Sequence, residues 1–172
     1  MFSCAQNWSI PCEKALNKQI NHEYSASLHY HFLSSYFSQA TFGLQTLSNY
    51  FNKCSREERE HADMLMKYQT KRGGTVQLEG IPQPNIDFKT SNHVLEAIEL
   101  AYNLEKDINT HLLNLHKVSS EQNDAQFCDY LEGHFLNEQV ESIYELTQIL
   151  NIIQKMDNNF HDIWNFLESR LS

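Results

Sequence analysis

A glutamate and a histidine stand three positions apart at Glu58 and His61, within a charged segment that begins at Glu57. Residues three apart on an α-helix share a face, so this carboxylate and imidazole can reach the same metal ion. The same spacing is also common on ordinary solvated helix faces. A metal site is therefore predicted only if other segments bring further ligands to this pair.

Four long segments carry apolar stripes with a helical period, and breaker residues are scarce, with only 5 Gly and 3 Pro in the chain. We predict helices over 10–37, 45–72, 92–119 and 125–156, followed by a short helix over 160–171. The last segment is too short to be stable without a surface to dock on. The sequence thus predicts an all-α fold in a single domain spanning 1–172.

Each of the four stripes is interrupted by a polar residue near its midpoint. These residues are Glu23 with Tyr30 one to two turns later, Glu58 with His61, Glu105, and Gln139. Alone, each fits a helix rim, a core aromatic or a surface amide. In a bundle of helices of similar length, however, midpoint residues share one level, so these groups are expected to meet.

Carboxylates that converge in a dry core repel one another and are costly to desolvate unless a cation is present. Three carboxylates and one imidazole without a thiolate suit Fe(II) or Mn(II) better than a structural zinc ion. We predict a two-metal site in which Glu58 bridges, Glu23 and His61 complete one position, and Glu105 completes the other.

The stretch 75–90 has no helical period and is long for a connection inside a compact domain. A helix of this size is about 40 Å long, and an extended chain of this length reaches roughly 55 Å. The connection can therefore run the whole length of the bundle. We predict a four-helix bundle in which the second and third helices are parallel and joined by one long crossover.

The formal charge of −9 disfavours nucleic acid and anionic membranes as partners and favours cations. No apolar run is long enough to span a bilayer. The N-terminal stretch lacks the pattern of a secretory signal, and we expect a cytoplasmic protein whose scattered cysteines stay reduced. Cys54 and Cys128 are expected to be small core residues.

Six strings carry a resemblance to a known family over essentially the whole chain. They are Asn17-Lys-Gln-Ile-Asn-His-Glu23, Ser55-Arg-Glu-Glu-Arg-Glu-His-Ala62, Arg72-Gly-Gly74, Leu104-Glu-Lys106, Leu112-Leu-Asn-Leu-His-Lys117 and Leu136-Asn-Glu-Gln-Val140. In these the chain resembles eukaryotic ferritins of the heavy-chain, ferroxidase type. The resemblance implies a shell of twenty-four subunits in which the fifth helix docks at fourfold axes.

The resemblance also implies oxidation of two Fe(II) by dioxygen and release of Fe(III) toward a ferric mineral. The residues that match the ferroxidase positions are Glu23, Tyr30, Glu58, His61, Glu105 and Gln139. Gln139-x-x-Ser142 stands where bacterial relatives place Glu-x-x-His. One iron position is thus expected to be poor in ligands and to release its ion readily.

Two further acidic sets match positions of the family. Asp129 and Glu132 match a threefold channel, with His116 nearby, and would attract Fe(II); a solvated helix start is the alternative. Glu57, Glu60 and Asp63 match a cavity-surface cluster proposed to nucleate mineral and are expected to face away from Glu58. The alternative for this set is a charged solvated face.

Two other functions remain open at this stage. The chain could be a non-catalytic cage subunit that co-assembles with an active one, although its complete site argues against this. It could also be a di-iron oxygenase or peroxidase, which the weak ligation on the fourth helix disfavours. Three further histidines, His22, His29 and His31, are either surface residues or extra metal ligands, and we favour the surface.

Overall fold

The computed structural model describes residues 2–156 and 159–171, and every regular element in them is helical. The helices are α1 (Ile10–Phe37), α2 (Gln45–Lys71), α3 (His93–Glu121), α4 (Ala125–Leu131), α5 (Asn137–Ile153) and α6 (Phe160–Leu171). A π-helical turn over Glu132–Leu136 joins α4 to α5. The predicted all-α fold class is confirmed, and the fourth helix ends at Ile153 rather than at residue 156.

Polar side chains fix where the helices start. Ser9, Asn92 and Asp124 accept backbone N–H bonds from the first turns of α1, α3 and α4 at 3.3, 3.1 and 3.1 Å. These bonds satisfy donors that a helix start leaves without partners. At the other end of α2, Gly73 adopts a φ of 85°, a left-handed conformation that glycine adopts without strain.

Hydrogen bonds between α1 and α2 show that the two helices are antiparallel. Ser27 Oγ donates to Ser55 O at 2.7 Å, and further along α1 Ser48 Oγ donates to Ser34 O at 2.9 Å. The partner's number falls as the α1 number rises, as an antiparallel pair requires. Small serine side chains at both contacts let these backbones approach closely.

Contacts between α1 and α3 fix the direction of the third helix. Tyr36 near the end of α1 hydrogen-bonds His93 at the start of α3 at 2.8 Å, whereas Tyr30 donates to Glu105. Helix α3 is therefore antiparallel to α1 and parallel to α2. The prediction of a long crossover between the second and third helices is confirmed.

Two asparagines on α1 hold the start of the crossover against the bundle. The Asn17 side chain donates to Thr75 O at 3.0 Å and accepts from Gln77 N at 3.1 Å. One turn later, Asn21 Oδ1 accepts from Glu79 N at 3.0 Å. Alternate backbone groups of an extended segment are thus paired with side chains one helical turn apart, which satisfies backbone groups that lack a strand partner.

A layer of buried polar side chains divides the apolar core into two parts. One part surrounds Phe37 and Phe51, and the other surrounds Leu16 and Phe127. The polar residues between them are Gln19, Glu23, Ser27, Ser55, Glu58, Glu105 and Gln139. Packing on both sides therefore fixes the level at which these side chains meet.

The π-helical turn in the fourth helix was not predicted. Leu131, Phe135 and Gln139 follow one another at intervals of four residues, and all three are buried. On a regular α-helix such a series drifts by about 40° per step because 3.6 residues make one turn. A π-helical turn contains more residues than an α-helical turn, so it compensates for this drift. Gln139 consequently points into the bundle. Such turns occur frequently at functional sites.

Helix α6 docks on the bundle through Ile163 and Leu167, which are fully buried in the core part around Phe37. An ion pair of 3.5 Å between Arg170 and Glu145 accompanies this contact. Among the residues that the structure describes, no helix has both the length and the apolar character that a membrane crossing demands.

Candidate metal centre

Glu23 on α1 and Glu58 with His61 on α2 form a compact group of metal-binding side chains. One ligand atom from each residue lies within 4.8 Å of the others. Glu23 is fully buried, Glu58 is 4% exposed, and the His61 side chain is 12% exposed. Their convergence follows from the antiparallel α1–α2 pair, which brings the midpoints of the two helices together.

One oxygen of Glu23 is left without a hydrogen-bond partner. Gln19 Nε2 donates to Oε1 at 2.8 Å, while Oε2 is buried and unpaired among the described residues. Leaving a buried polar atom unsatisfied costs about 1–3 kcal/mol. A cation at this position offsets that cost, since an ionised carboxylate is an oxygen ligand for hard metal ions. The residues present therefore fit a metal ion.

Glu105 on α3 is held by two neutral donors. The Tyr30 hydroxyl donates to Oε1, and Gln139 Nε2 donates to Oε2 at 2.9 Å and to the Glu105 carbonyl at 3.0 Å. The four helices thus contribute to one polar layer. The structure brings the midpoint residues of the four predicted helices together, as expected from the sequence.

The three carboxyl groups are hard to ionise in the metal-free protein. Burial raises the pKa of Glu23 well above its usual value, and the charge of Glu58 raises it further. Burial and then the Glu105 charge raise the pKa of Glu58 to about 8. Burial also raises the pKa of Glu105, against the opposing effect of the Tyr30 and Gln139 hydrogen bonds. These shifts disfavour negative charge in the site and would be relieved by cations.

A cavity of about 90 Å³ opens beside Glu58, between α2, α3 and α5. Water occupies about 30 Å³ in the liquid, so the space suits a small ion with water ligands. The polar residues that line it are Lys53, Cys54, Glu57, Glu58, His61, Glu105, Glu138, Gln139, Ser142 and Glu145, joined by Tyr50. The donors are mostly oxygens, and one thiol lies among them.

Sequence reasoning missed two residues at this cavity. Glu138 Oε2 lies 3.2 Å from His61 Nε2, so a second carboxylate contacts the imidazole. Cys54 was expected in the core, yet it lines the cavity because it lies one turn before Glu58 on the same face. Both residues could have been found from the sequence. Cys54 lies four residues before Glu58, which places it on the same face of α2, and Glu138 directly precedes Gln139.

The cavity-surface set of Glu57, Glu60 and Asp63 does not behave as a unit. Glu57 lines the same cavity as Glu58, which contradicts the expectation that all three face away from it. Asp63 instead accepts a 3.4 Å bond from Tyr24 on α1, and Glu60 is exposed. Helical steps of 100° place the first and last of these residues about 120° apart, which explains the divergence.

The remaining predicted residues lie elsewhere. Asp129 and Glu132 are both exposed, and Glu132 Oε1 lies 2.6 Å from His116 Nε2. His31 is exposed, and His29 Nδ1 lies 2.8 Å from the Ser25 carbonyl. These five side chains lie outside the group formed by Glu23, Glu58 and His61.

Comparisons with known proteins agree with this architecture. The family model for the ferritin-like domain matches residues 13–156. Ferritin-3, chloroplastic, of Arabidopsis thaliana is 44% identical over 161 residues, which cover 92% of this chain and 62% of the relative. Ferritin, middle subunit, of Salmo salar is 43% identical over 152 residues, covering 88% and 85%. The chain therefore spans slightly less than two thirds of the plant relative and most of the salmon one.

The predicted cytoplasmic location is contradicted by these relatives. Those from Arabidopsis thaliana, Glycine max and Malus baccata all carry the word chloroplastic in their names, at 42–44% identity. The prediction was based on the absence of a secretory signal pattern in the sequence of residues 1–10. That pattern bears on secretion and does not distinguish a plastid from the cytoplasm.

Two independent matches bear on the family. The family model covers well over half of the chain, and the salmon relative is aligned over most of its own length at 43% identity. The helix order, the crossover and the buried carboxylate layer agree with them. The chain belongs to the ferritin family.

Proposed function

We propose that the chain stores iron and is a catalytic, heavy-chain-type ferritin that oxidises Fe(II) to Fe(III) with dioxygen. The observation that carries the proposal is the buried, unpaired Oε2 of Glu23, facing Glu58 and His61. Such a group is unfavourable in a dry core without a cation. Iron enters as the substrate, and Fe(III) leaves the site toward a mineral.

Each side chain has a distinct part in this reaction. Glu23 and His61 bind one Fe(II), Glu105 binds the other, and Glu58 lies between them. Two Fe(II) lose one electron each, and dioxygen takes up both electrons and two protons to give hydrogen peroxide. The carboxyl groups release their protons as the cations bind, because the positive charge lowers their raised pKa values.

Tyr30 and Gln139 position the Glu105 carboxylate through their hydrogen bonds to its two oxygens. Replacing a residue that orients a metal-binding group in this way typically lowers metal affinity or activity by 10–100-fold. Gln139 and Ser142 add only neutral oxygens to the cavity. We infer that the position next to Glu105 holds iron weakly, as a transit site requires.

At the level of assembly, we propose that residues 1–172 form one domain and that twenty-four copies build a hollow shell. Helix α6 would meet its copies at fourfold axes. Asp129 and Glu132 would form an acidic threefold channel, and the exposed Glu60 and Asp63 would contact the growing mineral. Co-assembly with a second ferritin subunit is compatible with the same shell. The names of the plant relatives support a plastid as the compartment.

Rapid mixing of the metal-free protein with Fe(II) in air tests the catalytic proposal. We expect ferric absorbance to grow much faster with the wild type than with a Glu58→Lys/His61→Gly variant, with dioxygen consumed in proportion. Asp107→Asn, which removes an exposed carboxylate two positions after Glu105 on α3, is the matched control and should match the wild type. Equal rates in the wild type and the double variant contradict the catalytic proposal and favour a passive cage subunit.

Size-exclusion chromatography with light scattering tests the assembly separately. A mass near twenty-four chains is expected at neutral pH. A monomer or dimer contradicts the shell. Because the oxidation assay is read per chain, a smaller assembly that still oxidises Fe(II) would overturn the shell alone.

A further inference from the structure

Two histidines outside the carboxylate layer lie in direct ring contact. His22 on α1 and His111 on α3 are 89 positions apart in the chain, yet their ring centroids are 3.5 Å apart and their planes differ by 13°. Both residues are half-buried. They border a surface cavity of about 210 Å³ between α1 and α3. The cavity gives both imidazoles access to solvent and leaves room for a ligand beside them.

We propose that His22 and His111 form a second metal site, which takes a divalent transition-metal ion of the Cu²⁺ or Zn²⁺ type. A tetrahedral ion with metal–nitrogen bonds of about 2.0–2.1 Å places its two nitrogens about 3.3 Å apart. The ring centroids are 3.5 Å apart, so a nitrogen of each ring can come within reach of one ion. Binding then requires the rings to tilt toward each other until their in-plane lone pairs converge. The torsion concerned, χ2 of histidine, is broad and opposes such a tilt weakly.

The donor set distinguishes this site from the carboxylate centre. Two imidazoles suit copper, zinc and nickel, whereas Fe(II) in the central layer meets mainly carboxylate oxygens. The cavity holds no carboxylate side chain, and Asn114 on α3 is its exposed amide. The one cation there, Lys18, opposes metal binding, but its side chain is exposed and can turn into solvent.

One side chain connects the two sites. Gln19 lines the surface cavity and also donates its amide N–H to Glu23 Oε1 at 2.8 Å. A test must therefore show that copper bound near His22 is not copper bound at Glu23. His111 is the better residue to replace, because it is six positions from Glu105 on its own helix, whereas His22 is directly next to Glu23.

Electron paramagnetic resonance of the metal-free assembled protein with one Cu²⁺ per chain tests the proposal. We expect hyperfine coupling to two nitrogens in the wild type and in the Glu58→Lys/His61→Gly variant. His111→Ala should lose the two-nitrogen signal and bind Cu²⁺ at least about tenfold more weakly, because losing a ligand costs no less than losing a group that orients one. His31→Ala, an exposed histidine on the same helix as His22, is the matched control and should leave the signal unchanged.

Two results would overturn the inference. One is a two-nitrogen signal that persists in His111→Ala; the other is a signal lost in Glu58→Lys/His61→Gly, which places copper at the central layer. If His111→Ala does not assemble, Lys18→Gln provides a variant at an exposed position. Removing that charge should tighten Cu²⁺ binding about two- to fivefold, and an unchanged or weaker affinity contradicts the site.

Discussion

Replacing Glu58 by glutamine should stabilise the metal-free protein at alkaline pH, although it removes the central ligand of the proposed iron site. Burial raises the pKa of this carboxyl from 4.5 to about 8 in the folded chain. Below pH 4.5 the carboxyl is protonated in both the folded and the unfolded chain, so the folded protein keeps its full stability. As the pH rises toward and through 8, the unfolded chain gives up this proton more readily, and the free energy of unfolding falls. Glutamine stays neutral throughout this range and avoids the loss.

The size of the effect follows from that shift. One pKa unit corresponds to about 1.4 kcal/mol, so the wild type should lose about 3–5 kcal/mol between pH 5 and pH 9 relative to Glu58→Gln. For a chain of this length, 1 kcal/mol changes the melting temperature by about 2–4 °C. The variant should therefore melt roughly 6–20 °C above the wild type at pH 9 and close to it at pH 5.

Circular dichroism of metal-free protein at several pH values measures this difference. Glu60→Gln removes an exposed carboxylate from the same helix and should follow the wild type. Added Zn²⁺ at one hundred times its dissociation constant should increase the free energy of unfolding of the wild type by about 2.7 kcal/mol and so raise its melting temperature. The melting temperature of Glu58→Gln should rise less. Parallel curves for wild type and Glu58→Gln between pH 5 and 9 would refute the reasoning that burial keeps this carboxyl protonated.

Three further predictions concern single side chains. Tyr30→Phe removes the hydroxyl that holds Glu105 and should slow the growth of ferric absorbance in stopped-flow mixing by about tenfold or more; an unchanged rate contradicts its positioning role. Gln139→Glu adds a carboxylate at the ligand-poor position and should retain more iron per chain after gel filtration, with slower repeated turnover; equal retention counts against weak ligation there. Arg72→Ala breaks a nearly buried pair with Asp124 at 2.7 Å and should lower stability by about 3–5 kcal/mol, seen as a lower melting temperature, whereas Arg56→Ala at an exposed position should not.

Much of the fold follows from periodicity alone. Residue spacing gives the helices, and the length of the stretch 75–90 gives the crossover and hence the parallel α2–α3 pair. The level shared by Glu23, Glu58 and Glu105 follows from helix midpoints, because regular rise per residue converts chain position into depth. These features depend on local geometry that a sequence encodes directly.

Other features depend on contacts between helices and could not be derived in this way. The π-helical turn before Gln139 arises because a spacing of four residues must stay inward over several turns. The His22–His111 stack depends on the rotation of α1 relative to α3, which no spacing within one helix fixes. Glu57 was misplaced for the same reason, since the orientation of α2 toward α5 decides which carboxylates line the cavity.

The two ends of the proposed iron site differ in what a cation must displace. At one end, no described residue donates a hydrogen bond to Oε2 of Glu23, so an ion that binds there displaces only the proton of this carboxyl group. At the other end, both oxygens of Glu105 already accept hydrogen bonds, from Tyr30 and from Gln139. An ion there must share or replace them, and each is worth about 0.5–1.5 kcal/mol, or more when the acceptor is charged. We infer that the first ion binds beside Glu23 and His61 and that the second binds more weakly. Fe(III) then leaves first from the position next to Glu105, which also opens into the 90 Å³ cavity.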